Sequence, residues 1–297
     1  MIEKLRAHYK DAIVIDEPTN HPERYEWFSS KNGEVIGIQK DRLTVKEREL
    51  LSIFLTPLAQ PSIWMNDEQR MWYRFLIQKD QEAFAKLPSS LYDRFIYFQI
   101  QKAAVDQQDF TEALKGLFPP DVVIVWEDEH QVIVIEKKSE EENNFFSLSD
   151  LIDTLCSDFY IQLRAYIGQK CRHSPELLHL FAAEKRYFQL AAANIPKQKV
   201  YSIEDVFPLL LMKNFDLSYA TYFLNDVKDD LQLLETVKTF FECNLNASLA
   251  AKKLYMHRNS LQYRIDKFIE KTGVDIKQFK GAIATYLAIL YNEQNDF

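Results

Sequence analysis

The chain has 297 residues, of which 47% are hydrophobic and only ten are proline and six glycine, so it can form two or three domains with sizeable cores. This composition excludes an intrinsically disordered chain, and no apolar run is long enough to span a bilayer. The formal charge of −8 excludes a nucleic-acid binder whose whole surface is basic. Three scattered cysteines form no disulfide framework and the first residues lack the apolar core of a signal peptide, which together predict a cytoplasmic protein.

The first ninety residues predict a small α+β module. Three short strands are indicated, with a hairpin turn at residues 31–33 between the last two: Ala12–Asp16, Tyr25–Ser30 and Glu34–Gln39. The spacing of Thr44 and Glu47 forms a capping box, which predicts a helix running to Phe54. A second helix is expected around Trp72. Strands followed by helices are typical of an α+β fold, and we interpret residues 1–90 as an input module.

Residues 91–214 alternate strands and helices in the order β-α-β-β-α-β-α-β, followed by a leucine-rich helix at 206–212. Strands are expected at 95–100, 122–126, 132–135, 161–167 and 200–203. Helices are expected at 110–117, 147–159 and 175–193. This order predicts an α/β sandwich in which helices cover a mixed sheet.

Enzymatic chemistry finds little support in this central region. No two of the six glycines are adjacent, and neither a P-loop nor a dinucleotide-binding fingerprint is present. The acidic turn at 127–130 is a weak metal site, and the histidines do not have metal-ligand spacing. We predict no catalytic residues, no metal ligands and no cofactor. A nucleotide-binding or nucleotide-processing enzyme that uses the central α/β domain is the alternative function.

Two helices that meet at a very short joint are predicted between Asn246 and Gly273. The first carries a face of small and apolar residues, Ala247, Ala250, Ala251 and Leu254. The second begins at about Arg258, buries an apolar arc that includes Leu261, Ile265 and Phe268, and ends at Gly273 as a C-cap. This layout predicts a helix-turn-helix, in which the small side chain of Ala251 lets the helices cross closely. A plain helical hairpin with solvated lysines and arginines is the alternative.

Helices on either side complete an all-α domain at residues 215–297. A helix at Gln232–Glu242 is expected to pack beneath the helix-turn-helix, and a last helix from about Gln278 closes the core. Residues 247–280 contain eight basic and three acidic residues, a formal charge of +5, whereas the rest of the chain carries −13. This division confines phosphate contacts to the C-terminal domain.

The sequence HRNSLQYRIDKFIEKTG at 257–273 resembles the C-terminal helix-turn-helix of the PucR and CdaR regulators of purine catabolism and carbohydrate diacid use. That family reads close to H-R-N-T-L-R-Y-R-L and ends in T-G. The matching residues are His257, Arg258, Asn259, Leu261, Tyr263, Arg264, Thr272 and Gly273. Ser260 replaces a threonine, Gln262 replaces a frequently basic residue, and Ala250 replaces a usual threonine.

The resemblance implies a transcriptional regulator that binds double-stranded DNA and responds to an unknown effector or partner. It also implies that residues 91–214 are a degenerate GGDEF-like domain. An active diguanylate cyclase would need a G-G-(D/E)-E-F hairpin at 127–130, where this chain reads EDEH.

The second helix of a helix-turn-helix enters the major groove with its N-terminal turn, which assigns roles to individual side chains. Base contacts are predicted for Arg258, Asn259, Ser260, Gln262 and Tyr263. Phosphate contacts are predicted for Lys252, Lys253, Arg264, Lys267 and Lys271. Because one helix-turn-helix covers only a few base pairs, we expect a homodimer. We also expect a possible small-molecule effector and no membrane partner.

Overall fold

The structure is a computed structural model, and it describes residues 2–16, 19, 24–30, 34–58, 65–88, 92–101, 105–137 and 148–295. The chain forms two compact units. The first comprises residues 1–88, 99–134 and 155–162, and the second comprises residues 89–98, 135–154 and 163–297. The boundaries expected from sequence, at about residues 90 and 214, stay a prediction.

The N-terminal region contains helices around a four-stranded antiparallel sheet. Its elements are α1 (Ile2–Tyr9), β1 (Ile13–Ile15), β2 (Tyr25–Ser29), β3 (Val35–Gln39), α2 (Val45–Phe54), β4 (Thr56–Leu58), α3 (Asp67–Leu76) and α4 (Gln81–Phe84). The strand order is β1-β3-β2-β4. The predicted capping box begins α2, with the Thr44 backbone N–H donating to Glu47 Oε2 at 2.9 Å and the Glu47 N–H to Thr44 Oγ1 at 3.3 Å. The predicted turn at 31–33 lies outside the described residues.

The central region has the predicted alternation of strands and helices, with one short strand added. Its elements are β5 (Tyr92–Gln101), α5 (Gln107–Leu117), β6 (Val123–Trp126), β7 (Gln131–Lys137), α6 (Leu148–Asp158), β8 (Gln162–Ile167), β9 (Cys171–Arg172), α7 (Leu177–Asn194), β10 (Val200–Ser202) and α8 (Ile203–Met212). The strand order is β10-β8-β5-β7-β6, and β9 pairs with β5. Because β10 runs parallel to β8 and β9 antiparallel to β5, the sheet is mixed, as predicted.

The C-terminal region is entirely helical among the residues described after α8. A short 3₁₀ turn at Tyr222–Leu224 leads to α9 (Leu231–Glu242), α10 (Ala247–Lys253), α11 (Arg258–Thr272) and α12 (Phe279–Asn295). The α12 helix packs against α8 and α9, while α10 and α11 pack against each other and against α9. The fold class predicted from sequence, a mixed α and β protein with a helical C-terminal domain, is confirmed.

Candidate nucleic-acid interface

Caps define both helices of the predicted helix-turn-helix. The Asn246 side chain accepts a hydrogen bond from the Leu249 N–H at 3.1 Å and begins α10. His257 begins α11, because its Nδ1 accepts from the Asn259 N–H at 3.2 Å. Gly273 ends α11 in the left-handed conformation, with φ of 74°. A residue with a side chain is strained at such a φ, which is why glycine suits this position.

The contact between α10 and α11 is buried. Ala250 and Ala251 of α10 are buried, and so are Leu261, Ile265 and Phe268 of α11. Since Leu261, Ile265 and Phe268 recur every three or four positions, they hold one face of α11 in the core and leave the opposite face toward solvent. The packing that the sequence pattern predicts is therefore confirmed.

The predicted base-contacting side chains lie at the outer surface of the N-terminal half of α11. Arg258, Asn259 and Ser260 are exposed, and Tyr263 is 69% exposed. Gln262 is half-buried, and its amide donates to Asp266 Oδ1 at 3.0 Å, one turn further along the helix. This hydrogen bond orients the Gln262 side chain along the helix rather than straight outward.

Three of these side chains share an open groove of about 490 Å³ with the start of α9. Asn259, Ser260 and Tyr263 line one wall, and the other wall includes Asp230 and Gln232. Arg258 and Gln262 do not line this groove. The structure thus brings together hydrogen-bonding groups from two helices, of which sequence reasoning singled out only those on α11.

Three cations from the middle of α11 onward face groups of the same compact unit. Arg264 Nη1 donates to Thr236 Oγ1 at 3.0 Å. Lys267 Nζ lies 3.4 Å from Asp230 Oδ2, and Lys271 Nζ lies 3.4 Å from the Asp226 carbonyl oxygen. Their side chains are half-buried rather than freely exposed. Sequence reasoning missed these partners, although the acidic run DVKDD at 226–230 was a usable signal.

The two predicted phosphate contacts on α10 differ from each other. Lys252 is exposed, whereas Lys253 Nζ pairs with Glu242 Oε2 at 2.5 Å. A hydrogen bond from Lys253 and the negative charge of Glu242 raise the pKa of Lys253, so this ammonium stays charged. Solvent screens surface ion pairs of this kind and they contribute little to stability, so a phosphate can displace the carboxylate.

Asp230 combines structural and electrostatic roles at the groove. Its side chain accepts from the Leu233 N–H at 3.1 Å and thereby begins α9. That hydrogen bond, followed by the one from Lys267, lowers the pKa of Asp230. The carboxylate is therefore ionised at neutral pH and places a negative charge beside the predicted DNA-contacting surface.

Other kinds of site are not supported within the described part of the chain. No cluster of three or more His, Cys, Asp or Glu side chains in those ranges could hold a metal ion. No helix among the same residues has the length and hydropathy needed to cross a bilayer.

Comparisons with known proteins identify the family of the helix-turn-helix domain. Residues 233–291 match the family described as the PucR C-terminal helix-turn-helix domain. Protein YxkF of Bacillus subtilis (strain 168) is 33% identical over 302 residues, covering 99% of this chain and 100% of the relative. The carbohydrate diacid regulator of Escherichia coli (strain K12) is 21% identical over 141 residues, covering 45% of this chain and 37% of that protein. This chain belongs to the PucR/CdaR family of transcriptional regulators.

A further relative extends the same pattern. The purine catabolism regulatory protein of Bacillus subtilis (strain 168) is 31% identical over 97 residues, covering 31% of this chain and 18% of that protein. The helix-turn-helix and the named regulators together make this chain a DNA-binding transcriptional regulator. The alternative of a nucleotide-processing enzyme is not supported.

Proposed function

We propose that this regulator reads its operator with the N-terminal half of α11. The observation that carries the proposal is the exposure of Arg258, Asn259, Ser260 and Tyr263 on one turn and a half of a helix whose opposite face is buried. Because the major groove of B-DNA is about 12 Å wide and admits one helix, these side chains can reach base edges together. Arginine pairs well with guanine and asparagine with adenine, which suits Arg258 and Asn259.

The remaining predicted contacts fill supporting roles in this proposal. Gln262 reaches a base after exchanging its hydrogen bond with Asp266, and Ser260 donates to either a base or a phosphate. Phosphate contacts come from Lys252, Lys253, Arg264, Lys267 and Lys271. Phosphate contacts hold the protein in register on the duplex and carry no sequence information themselves.

We also propose that two copies bind one operator and that residues 91–214 relay a signal to the DNA-binding domain. In the GGDEF-like domain that the resemblance implies, the turn between β6 and β7 would take the place of the signature hairpin, and here that turn reads EDEH. We therefore propose no nucleotide cyclase activity. Because the helix-turn-helix must reach DNA, we also propose a cytoplasmic location. Purified protein incubated with GTP should yield no cyclic dinucleotide; any such product would contradict this assignment.

Selection of bound duplexes from a random pool tests the operator proposal. The parent protein should enrich a two-fold symmetric sequence whose half-sites lie one helical turn, or a multiple of it, apart. Arg258→Ala should lose the preference at one guanine position in each half-site. Arg6→Ala is the matched control, because it removes one exposed arginine from α1 and should leave the preference unchanged. A pool without any enriched sequence would refute the proposal.

A further inference from the structure

The segment from Gly168 to Arg172, which comprises the loop after β8 and the short strand β9, is hydrogen-bonded to the core of the α/β region. The Gly168 N–H donates to the Phe95 carbonyl at 2.8 Å, and the Gln169 N–H donates to Glu184 Oε1 at 2.6 Å. A Cβ on Gly168 would lie 2.5 Å from Glu184 Oε2 and 2.7 Å from the Phe95 oxygen. Only glycine permits this approach, so the start of the loop has little freedom.

The Gln169 side chain connects this loop to the segment that precedes α9. Gln169 is only 4% exposed, and its amide makes two hydrogen bonds to that segment. Nε2 donates to the Tyr219 carbonyl at 2.9 Å, while Oε1 accepts from the Phe223 N–H at 3.0 Å. Since both amide atoms are used, the side chain joins the two backbones in one orientation.

The next residue, Lys170, contacts the C-terminal end of α11. Its Nζ donates to the Glu270 carbonyl at 3.0 Å. Its side-chain carbons pass Gly273, so that a Cβ built there would lie 3.6–3.7 Å from them. A lysine ammonium at a helix C-terminus satisfies an orphan carbonyl and interacts favourably with the negative end of the helix dipole.

A third contact, made by Arg172 of β9, adds to the contact of Lys170. Arg172 Nε donates to Asp226 Oδ1 at 2.5 Å, and the Asp226 carbonyl oxygen lies 3.4 Å from Lys271 Nζ on α11. Lys170 therefore contacts α11 directly, whereas Gln169 and Arg172 contact the segment that precedes α9. All of these residues belong to the second compact unit.

We propose that Lys170, oriented by Gln169, is a positioning residue for DNA binding that fixes the C-terminal end of α11 to the α/β region. The inference rests on the proposed function, in which the opposite end of α11 reads bases. With 15 residues, α11 is about 22 Å long, so a small tilt at Gly273 displaces Asn259 by a larger distance. Contacts with specific bases depend on the position of Asn259, whereas nonspecific phosphate contacts tolerate a small displacement of the helix.

Three full-length proteins test this role: the parent, Lys170→Met, which keeps the aliphatic stem, and Lys170→Arg, which keeps the charge. Each is titrated with the duplex selected by the parent and with a scrambled duplex, at a temperature where all three are folded by circular dichroism. Lys170→Met should bind the selected duplex about two- to fivefold more weakly and the scrambled duplex like the parent, with an unchanged salt slope. Backbone amides in the last turn of α11 should exchange hydrogen faster, and Lys170→Arg should restore both properties.

Three outcomes would contradict either the role of Lys170 or the proposed function, and they can be distinguished. Equal loss on both duplexes with a shallower salt slope would mean that Lys170 contacts phosphate itself, which overturns the positioning role. Unchanged binding of Lys170→Met to both duplexes also overturns it. If the parent itself does not distinguish the selected from the scrambled duplex, then the proposed function fails, independently of Lys170.

Discussion

The two halves of α11 differ in what their outer side chains contact. In the N-terminal half, Arg258, Asn259 and Ser260 are exposed to solvent. In the C-terminal half, Lys267 and Lys271 contact Asp230 and Asp226, and Lys170 reaches the backbone. The difference teaches that a recognition helix needs a fixed end as well as a free one, because the free end can read bases only if its orientation is set elsewhere.

Removing the buried anchor of α11 should have the largest effect. Phe268 is fully buried in the C-terminal half, so Phe268→Ala should lower the free energy of unfolding of this region by about 3–5 kcal/mol. Urea unfolding followed by circular dichroism measures the change. Tyr263→Ala is the contrasting variant on the exposed half and should leave the midpoint nearly unchanged. If both variants lose stability alike, the division of α11 into a fixed and a free half is wrong.

The second prediction concerns pH and the buried carboxyl group behind the loop. Burial raises the pKa of Glu184 to about 8, against an ordinary value of 4.5, while hydrogen bonds from Gln169 and Tyr97 and the charge of Arg94 oppose the shift. Between these two values the unfolded chain has lost the proton and the folded chain keeps it. The stabilising contribution is therefore complete below about pH 4.5 and is lost as pH rises through about 8.

Thermal unfolding of the parent and of Glu184→Gln from pH 5 to 9 measures this contribution. The unfolding temperature of the parent should fall relative to that of the variant as pH rises, because glutamine does not titrate. Parallel curves for the two proteins would show that Glu184 has no raised pKa in the folded state.

The sequence predicted both ends of α11 correctly, because the signals that define them lie within or beside the helix. A cap at His257, an apolar repeat through Phe268 and a glycine at 273 all act within a few positions, so the pattern contains the information. Sequence reasoning missed β4, which contains Pro57; proline is untypical of strands but is tolerated on an edge strand such as this one. It also missed α1, an eight-residue helix, although Ile2, Leu5 and Tyr9 recur at helical spacing and pack in or against the N-terminal core.

The internal partners of the C-terminal half could not be read from the sequence. Asp230 lies 37 residues from Lys267, Asp226 lies 45 residues from Lys271, and Lys170 lies 100 residues from Glu270. No local periodicity encodes pairs at such separations, since they form only when the α/β region and the helices pack. Sequence therefore predicts which side chains face outward but not which of them the protein itself holds.

The third prediction tests the free half. Asn259→Ala should weaken binding to the selected duplex by about 1–3 kcal/mol and leave binding to scrambled duplex almost unchanged, because a bidentate contact with adenine is lost only on the specific sequence. Fluorescence anisotropy titrations with both duplexes measure the two affinities. Asn194→Ala, at an exposed asparagine at the end of α7, is the matched control. An equal loss on both duplexes would place Asn259 on the phosphate backbone instead.

The smallest expected effect distinguishes a phosphate contact from a purely internal ion pair. If Lys267 leaves Asp230 for a phosphate, then Lys267→Ala should weaken binding to selected and scrambled duplexes alike and reduce the slope of log affinity against log salt by about one unit. Because the pair with Asp230 is worth only about 0–1 kcal/mol, it does not prevent this exchange. Asp230→Asn would then strengthen binding to both duplexes, since a negative charge beside the DNA is removed while the asparagine side chain can still cap α9. Titrations at four salt concentrations decide between the models: an unchanged slope in Lys267→Ala would assign this lysine to the fixed half of α11 alone.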